Sequence, residues 1–153
     1  MAEHALPPST FVVPPLVSGL SVFASDYELI LCDVWGVLHN GVAAFPAACT
    51  ALEKARAGEA HVVLVSNAPR PGPAIVAMLD KLKVPRTAYD DIVTSGDVTK
   101  ALLEARPGAR VYHLGPERDL STYDDLDLTL APLPDPDLVV CTGLFDDDVE
   151  TPA

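Results

Sequence analysis

Two short segments carry side chains that could perform chemistry. Asp33 directly follows the apolar run 29–32 and precedes Gly36. A carboxylate at such a turn can be a nucleophile, a metal ligand or a helix cap. Ser66 and Asn67 directly follow a second apolar run, residues 61–65. A hydroxyl and turn amides there can hold a phosphate oxygen, although Ser-Asn-x-Pro is also an ordinary loop sequence. These segments alone leave a reactive site and two plain turns equally open.

Short apolar runs alternate with helical patterns, and this alternation predicts the elements that position these side chains. Strands that alternate with helices are typical of βαβ units, so we expect an α/β fold with a mostly parallel sheet. Pro46 and the following Gly58 predict a helix over residues 46–57. The run 61–65 suits a strand buried on both faces. The other predicted strands are residues 29–32, 91–94, 110–114 and 138–141, and the other helices are residues 15–26, 73–83 and 98–106, the last with Asp97 as N-cap.

The carboxyl ends of strands are where open α/β sheets bind their ligands. Asp33 and Ser66 both lie at such ends, so we expect them to come together. Residues 37–42 predict a hairpin close to Asp33, because Asn-Gly at 40–41 favours a type I′ turn. His39 lies in this hairpin, and we expect either a structural role or a role in the site.

The composition narrows the possible partners. The 153 residues contain 22 acids and 10 bases, which gives a formal net charge of −12. This balance argues against nucleic acid and against anionic membranes as partners. Residues 119–153 hold ten acids and no Lys or Arg. The three cysteines have no motif spacing, which is typical of free thiols in a cytoplasmic protein.

Three segments together resemble the haloacid dehalogenase (HAD) superfamily of hydrolases, subclass IIA. They are residues 31–41, residues 66–70 and Thr94-Ser-Gly-Asp97. The resemblance covers most of the chain from about residue 15. It implies a Rossmann-like core with a parallel sheet over residues 1–106, and the start of an α/β cap domain over residues 107–153.

The resemblance also implies a mechanism. Asp33 would attack phosphorus and form an aspartyl-phosphate, and Mg²⁺ would neutralise the phosphoryl oxygens. Asp33 and the main-chain carbonyl of Trp35 would be metal ligands, and Ser66 would bind the phosphoryl group. The remaining predicted substrate or phosphate contacts are Asn67, Gly36 and Arg70. The 37–42 hairpin would be a mobile flap, and the substrate would be a small phosphorylated metabolite.

The chain departs from the family pattern in two ways. Most phosphatases of the superfamily carry a general acid two residues after the nucleophile, where this chain has Trp35; His39 is a candidate replacement. The third-motif Lys and the fourth-motif acids of the family are absent from these 153 residues. We therefore expect an incomplete core and an incomplete cap, with little or no activity in this chain alone. Oligomerisation is possible but not readable from the sequence.

Two other functions compete with hydrolysis. A non-catalytic HAD-like module would bind a phosphorylated ligand or a protein partner, which Trp35 favours and the Asp33–Ser66 pair opposes. A phospho-accepting receiver domain would require an acidic pair after the first strand and a Lys after the last strand. Neither is present, so the receiver domain is disfavoured.

Overall fold

The first half of the molecule is built around a parallel sheet. A computed structural model describes residues 14–145 and residue 149. Its first three strands, β1 (Leu29–Asp33), β2 (His61–Ser66) and β3 (Asp91–Thr94), lie side by side in that order. Helix α1 (Pro46–Ala57) connects β1 to β2, and α2 (Gly72–Lys81) connects β2 to β3. The predicted α/β class and parallel pairing are confirmed.

Helix α1 has the bounds that the sequence predicted. Pro46 occupies its first turn, where its missing N–H costs no hydrogen bond. The N–H of Gly58 bonds back to carbonyls of the last turn and closes the helix. Residues Cys49, Leu52 and Ala55 recur every three positions and are buried against the sheet.

A single apolar core lies between the first sheet and its helices. The inward positions of β2 are fully buried, and they meet the apolar faces of α1 and α2. The principal members of this core are Val34, Leu38, Leu52, Val62, Leu64, Ile75 and Leu79.

A second parallel sheet follows helix α3 (Ser95–Glu104). Strand β4 (Ala109–Leu114) lies between β5 (Leu128–Leu130) and β6 (Leu138–Cys141). A 3-10 helix over Glu117–Tyr123 links β4 to β5. The buried hydrophobic residues of this half form a separate small core, made of Leu103, Val111 and Tyr123. The boundary predicted after residue 106 falls between α3 and β4, and the assignment of the second sheet to a cap stays a prediction.

Two helix predictions need correction. In place of a helix over residues 15–26, the structure has two 3-10 helices, Leu20–Val22 and Ala24–Asp26. Neither contains a buried residue, so no apolar face stabilises a longer helix there. The N-cap of α3 is Thr94, not Asp97. Asp97 lies at the third helical position, where it completes a capping box with Thr94.

One face of the first sheet is open, which contradicts the prediction that β2 is buried on both faces. Burial alternates along β2, because α1 and α2 cover only one side of the sheet. Leu29, Leu31, Val65 and Val93 on the other side are 42% to 65% exposed. Within the described residues, no helix combines the length and apolar character needed to cross a bilayer.

Candidate active site

A cavity of about 530 Å³ lies where the carboxyl ends of both sheets meet. The register pairs Asp33 with Val65, so Ser66 begins just beyond the level of Asp33 on the neighbouring strand. Five of the predicted site residues line this cavity together with His39. They are Asp33, Trp35, Ser66, Asn67 and Arg70.

A larger cavity, of about 600 Å³, lies between Leu20 and helix α1. Lys54 is the one ionisable side chain among its lining residues. A site for acid–base or nucleophilic chemistry requires more than this, so the cavity at Asp33 is the candidate active site.

The Asp33 carboxylate is exposed at the end of β1 and is oriented by its own backbone. Its Oδ1 accepts a hydrogen bond of 2.7 Å from the N–H of Val34. The neighbouring Cys32 is a poor alternative nucleophile, because burial and the nearby Asp33 raise the pKa of its thiol. Of these two side chains, Asp33 is the one that lines the cavity.

Ser66 opens a loop that neighbouring elements hold in place. The side chain is 8% exposed, and its Oγ accepts from the N–H of Ala68 at 3.2 Å. The hydroxyl proton stays available to an acceptor in the cavity. The N–H of Gly96 donates to the carbonyl of Ala68 at 3.0 Å. A Cβ at position 96 would lie 2.3 Å from the carbonyl carbon of Arg70, so only glycine allows α3 to approach this loop.

The segment between Trp35 and Gly41 is a compact loop rather than the predicted type I′ hairpin. Only isolated bridges, Trp35 to His39 and His39 to Ala44, connect its arms. Gly41 has a φ of 87°, but Asn40 is not in the left-handed region that a type I′ turn requires. Asn40 instead accepts from the N–H groups of Val42 and Ala43 through its side chain. This side-chain turn replaces the backbone geometry that was predicted.

His39 is fully buried beneath this loop. Its Nδ1 accepts from the N–H of Gly41 at 2.9 Å, which leaves the proton of the neutral ring on Nε2. Within the described part of the chain, Nε2 has no hydrogen-bond partner. Burial lowers the pKa of His39, so the neutral form is favoured. A neutral imidazole is a weak proton donor, and these contacts therefore disfavour the predicted acid role.

The rings of Trp35 and His39 form a T-shaped pair with centroids 5.3 Å apart, and the Trp35 ring also covers Gly41. A Cβ at Gly41 would come within 2.5 Å of the Trp35 ring.

Gly36 lies apart from the other predicted phosphate contacts. Its N–H donates to the carbonyl of His39 at 2.8 Å, and it does not line the cavity. A role of Gly36 in phosphate binding stays a prediction.

The second half of the chain contributes residues that the sequence did not indicate, one from the 3-10 helix Glu117–Tyr123 and one that follows β6. Asp119, which is 2% exposed, and Thr142 line the same cavity as Asp33. Asp119 Oδ1 lies 3.9 Å from Nε of Arg70. Burial and the nearby Asp119 raise the pKa of Tyr123 to about 12. Asp119 and Thr142 both follow predicted strands, and this position could have indicated them as site residues. Asp119 also begins the acidic stretch 119–153, which favours its interpretation as a surface residue.

The residues present provide a partial set of magnesium ligands. No backbone N–H within the described residues bonds to the Trp35 carbonyl, so this oxygen can accept a further ligand. A carboxylate and a carbonyl are the hard oxygen donors that Mg²⁺ prefers. In the described part of the chain, no group of three or more His, Cys, Asp or Glu side chains could hold a metal. Asp33 and Trp35 therefore fit a Mg²⁺ that takes its other ligands from water and substrate phosphate, as Mg²⁺ commonly does.

Comparison with solved structures identifies proteins of similar fold. A hydrolase of the haloacid dehalogenase-like family from Brucella suis 1330 is 48% identical, with a TM-score of 0.84 over 90% of this chain and 52% of that one. A glycerol phosphate phosphatase from Mycobacterium tuberculosis, solved in complex with magnesium, is 27% identical, with a TM-score of 0.60 over 80% of this chain and 38% of that one. NagD from E. coli K-12 is 22% identical, with a TM-score of 0.57 over 75% of this chain and 46% of that one, and supports the fold alone.

The chain therefore spans about half the length of the Brucella protein. A search of curated protein sequences gave no match. The family model for haloacid dehalogenase-like hydrolases matches residues 30–129, which is more than half of the chain and includes Asp33 and Ser66. Its coverage and the 48% identity of the Brucella hydrolase bear out the resemblance seen in the sequence: the chain belongs to the haloacid dehalogenase-like hydrolases.

Proposed function

We propose that this protein is the nucleophile-bearing part of a Mg²⁺-dependent phosphatase that acts on small phosphate monoesters. The observation that carries the proposal is the shared cavity of Asp33, Ser66, Asn67 and Arg70. A carboxylate, a hydroxyl, an amide and a guanidinium at one strand edge are complementary to a phosphoryl group and its attack.

In this mechanism one oxygen of Asp33 attacks phosphorus. Its Oδ1 is held by the N–H of Val34, which fixes the plane of the carboxylate. The bond from phosphorus to the leaving oxygen breaks, and its electron pair departs with that oxygen. Water then attacks the aspartyl-phosphate, which releases inorganic phosphate and restores Asp33.

Ser66 and Arg70 bind the phosphoryl oxygens during this transfer. Ser66 donates the hydroxyl proton that Ala68 leaves free, and Arg70 supplies positive charge from the same loop. When bound by Asp33 and the Trp35 carbonyl, Mg²⁺ supplies charge neutralisation. Trp35 has no transferable proton, so substrates with good leaving groups should react fastest.

Hydrolysis of p-nitrophenyl phosphate tests the proposal. It should be measured with and without Mg²⁺ on residues 1–153 and on the protein extended beyond Ala153. We expect turnover in the extended form, and its loss in Asp33→Asn. The matched control is Asp91→Asn, because Asp91 is an exposed carboxylate at the opposite ends of the strands. Turnover by Asp33→Asn at the wild-type rate would refute the assignment of Asp33.

A second candidate is a module that binds a phosphorylated ligand without turnover. Trp35 favours it, as does the lack of a cluster of three metal-ligating side chains in the described residues. Calorimetric titration with inorganic phosphate distinguishes the two functions. Binding that requires Ser66 but is accompanied by no hydrolysis in the extended form would favour the binding module.

A further inference from the structure

Two residues of the second half of the chain contact the loop that follows β2. The hydroxyl of Thr122 donates to the carbonyl of Pro69 at 3.0 Å. The carboxylate of Asp119 lies 3.9 Å from Nε of Arg70, the next residue. Thr122 is 0% exposed and Asp119 is 2% exposed. One residue thus contacts the loop backbone and the other contacts its charged side chain.

Their spacing explains how both reach the same target. Asp119 and Thr122 are three residues apart within the 3-10 helix Glu117–Tyr123. A 3-10 helix has three residues per turn, so side chains at i and i+3 project from the same edge. An α-helix would separate them by about 60° around its axis, because it turns about 100° per residue. The 3-10 geometry therefore aims both side chains at residues 69–70.

The other side of the loop is fixed by helix α3. The N–H of Gly96 bonds to the carbonyl of Ala68, and Asp97 Oδ1 accepts from the N–H of Gly72 at 2.9 Å. The loop is therefore held on one side by α3 and on the other by the 117–123 helix. Thr122 is fully buried, so the loss of the bond that its hydroxyl makes to the partly buried Pro69 carbonyl is costly without replacement, and Thr122 restricts this segment.

We propose that Asp119 and Thr122 are positioning residues for the phosphate-binding loop. Thr122 fixes the Pro69 carbonyl, and Asp119 draws the Arg70 guanidinium into the cavity. The inference rests on the proposed function for the role of Arg70, but the contact itself concerns only the folded chain. On this proposal, the packing of the 117–123 helix against residues 69–70 is required for a competent phosphate site, and bound phosphate in turn stabilises that packing.

Amide hydrogen exchange of residues 66–70 tests the proposal directly in the 153-residue chain. Thr122→Val keeps the side-chain shape and removes the hydroxyl. We expect the Ala68 amide, which donates to Ser66 Oγ, to exchange about tenfold faster, while the amides of α1 keep their protection. Thr122→Ser should restore the wild-type rates. The matched control is Thr129→Val, because Thr129 is exposed on β5.

A loop that exchanges at the wild-type rate in folded Thr122→Val would overturn the proposal. If Thr122→Val does not fold, Asp119→Asn decides, with exposed Asp124→Asn as its control. Faster exchange in the loop of Asp119→Asn alone supports the proposal, and equal exchange in both variants overturns it.

Titration with inorganic phosphate and Mg²⁺ separates this inference from the proposed function. We expect Thr122→Val to weaken phosphate binding about tenfold and Thr129→Val to leave it unchanged. Absence of phosphate binding in the wild type and in its extended form would count against the proposed function. The exchange comparison would still decide the role of Thr122.

Discussion

Replacement of Asp97 by alanine should destabilise the first sheet and the loop that carries Ser66. The carboxylate joins three segments. Its Oδ2 accepts from the backbone N–H of Thr94 at 2.9 Å and from the Thr94 hydroxyl at 2.8 Å. Its Oδ1 accepts from the N–H of Gly72 at the start of α2. One side chain therefore connects the end of β3 with the first turns of two helices.

The size of the effect follows from these contacts. Loss of a capping box costs about 1 kcal/mol of unfolding free energy. An unsatisfied buried N–H, here that of Gly72, costs about 1–3 kcal/mol more. We expect Asp97→Ala to lose about 2–4 kcal/mol in total. Asp97→Asn retains one acceptor oxygen and should lose about half as much.

Urea denaturation followed by far-UV circular dichroism measures this difference. The control is Asp124→Ala, because Asp124 is exposed and the substitution should change stability by less than about 0.5 kcal/mol. A loss below about 1 kcal/mol in Asp97→Ala would show that Gly72 and Thr94 find other partners. The reasoning from this carboxylate would then be wrong.

Three further predictions concern pH and packing. The Arg56 side chain, together with the backbone N–H of Val62, lowers the pKa of Asp90. The stability that Asp90 contributes should therefore be complete above its ordinary pKa of 3.8 and be lost as the pH falls through the lower pKa of the folded state. The melting temperatures of the wild type and Asp90→Asn should then converge in acid. A difference in melting temperature that does not change with pH would contradict this. The pKa of Tyr123 is raised to about 12, so between pH 10 and 12 the hydroxyl ionises in the unfolded chain before it does in the folded one. The stability difference between the wild type and Tyr123→Phe should therefore be constant below pH 10 and shift in favour of Tyr123→Phe between pH 10 and 12. A difference in melting temperature that stays constant up to pH 12 would contradict it. Gly41→Ala should lose about 1–2 kcal/mol in urea denaturation, because a φ of 87° and contact with Trp35 both oppose a Cβ; an unchanged midpoint would contradict this.

Local signals were sufficient to predict most of the first sheet. Pro46 and Gly58 mark the ends of α1, and apolar runs bounded by turn residues mark β1, β2 and β3. The tendency of α/β sheets to bind ligands at strand ends also placed Asp33 and Ser66 together, because both residues follow apolar runs. These features depend on residues within a few positions of one another.

Features that depend on long-range packing were not predicted. Strand β5 has only three residues and follows Asp124, Asp125 and Asp127, so its sequence resembles a solvated loop. Its pairing with β4 is what makes it a strand. Asp119 likewise reads as part of an acidic surface, and only the approach of Arg70 makes it a buried member of the cavity. The predicted helix over residues 15–26 failed for the converse reason. Leu20 packs against the first core, but Leu16, Val17, Val22 and Phe23 stay exposed and give no continuous apolar face.

Trp35 is the only tryptophan of the chain, and it lies on the wall of the candidate active site. The residue is 62% exposed, and its ring packs at a steep angle against that of His39. Tryptophan fluorescence, excited selectively over that of the four tyrosines, therefore reports on one place in the molecule. A ligand that enters beside Asp33 should change the emission intensity or wavelength without any label. Rapid-mixing experiments can use that signal to time ligand entry separately from any bond breaking.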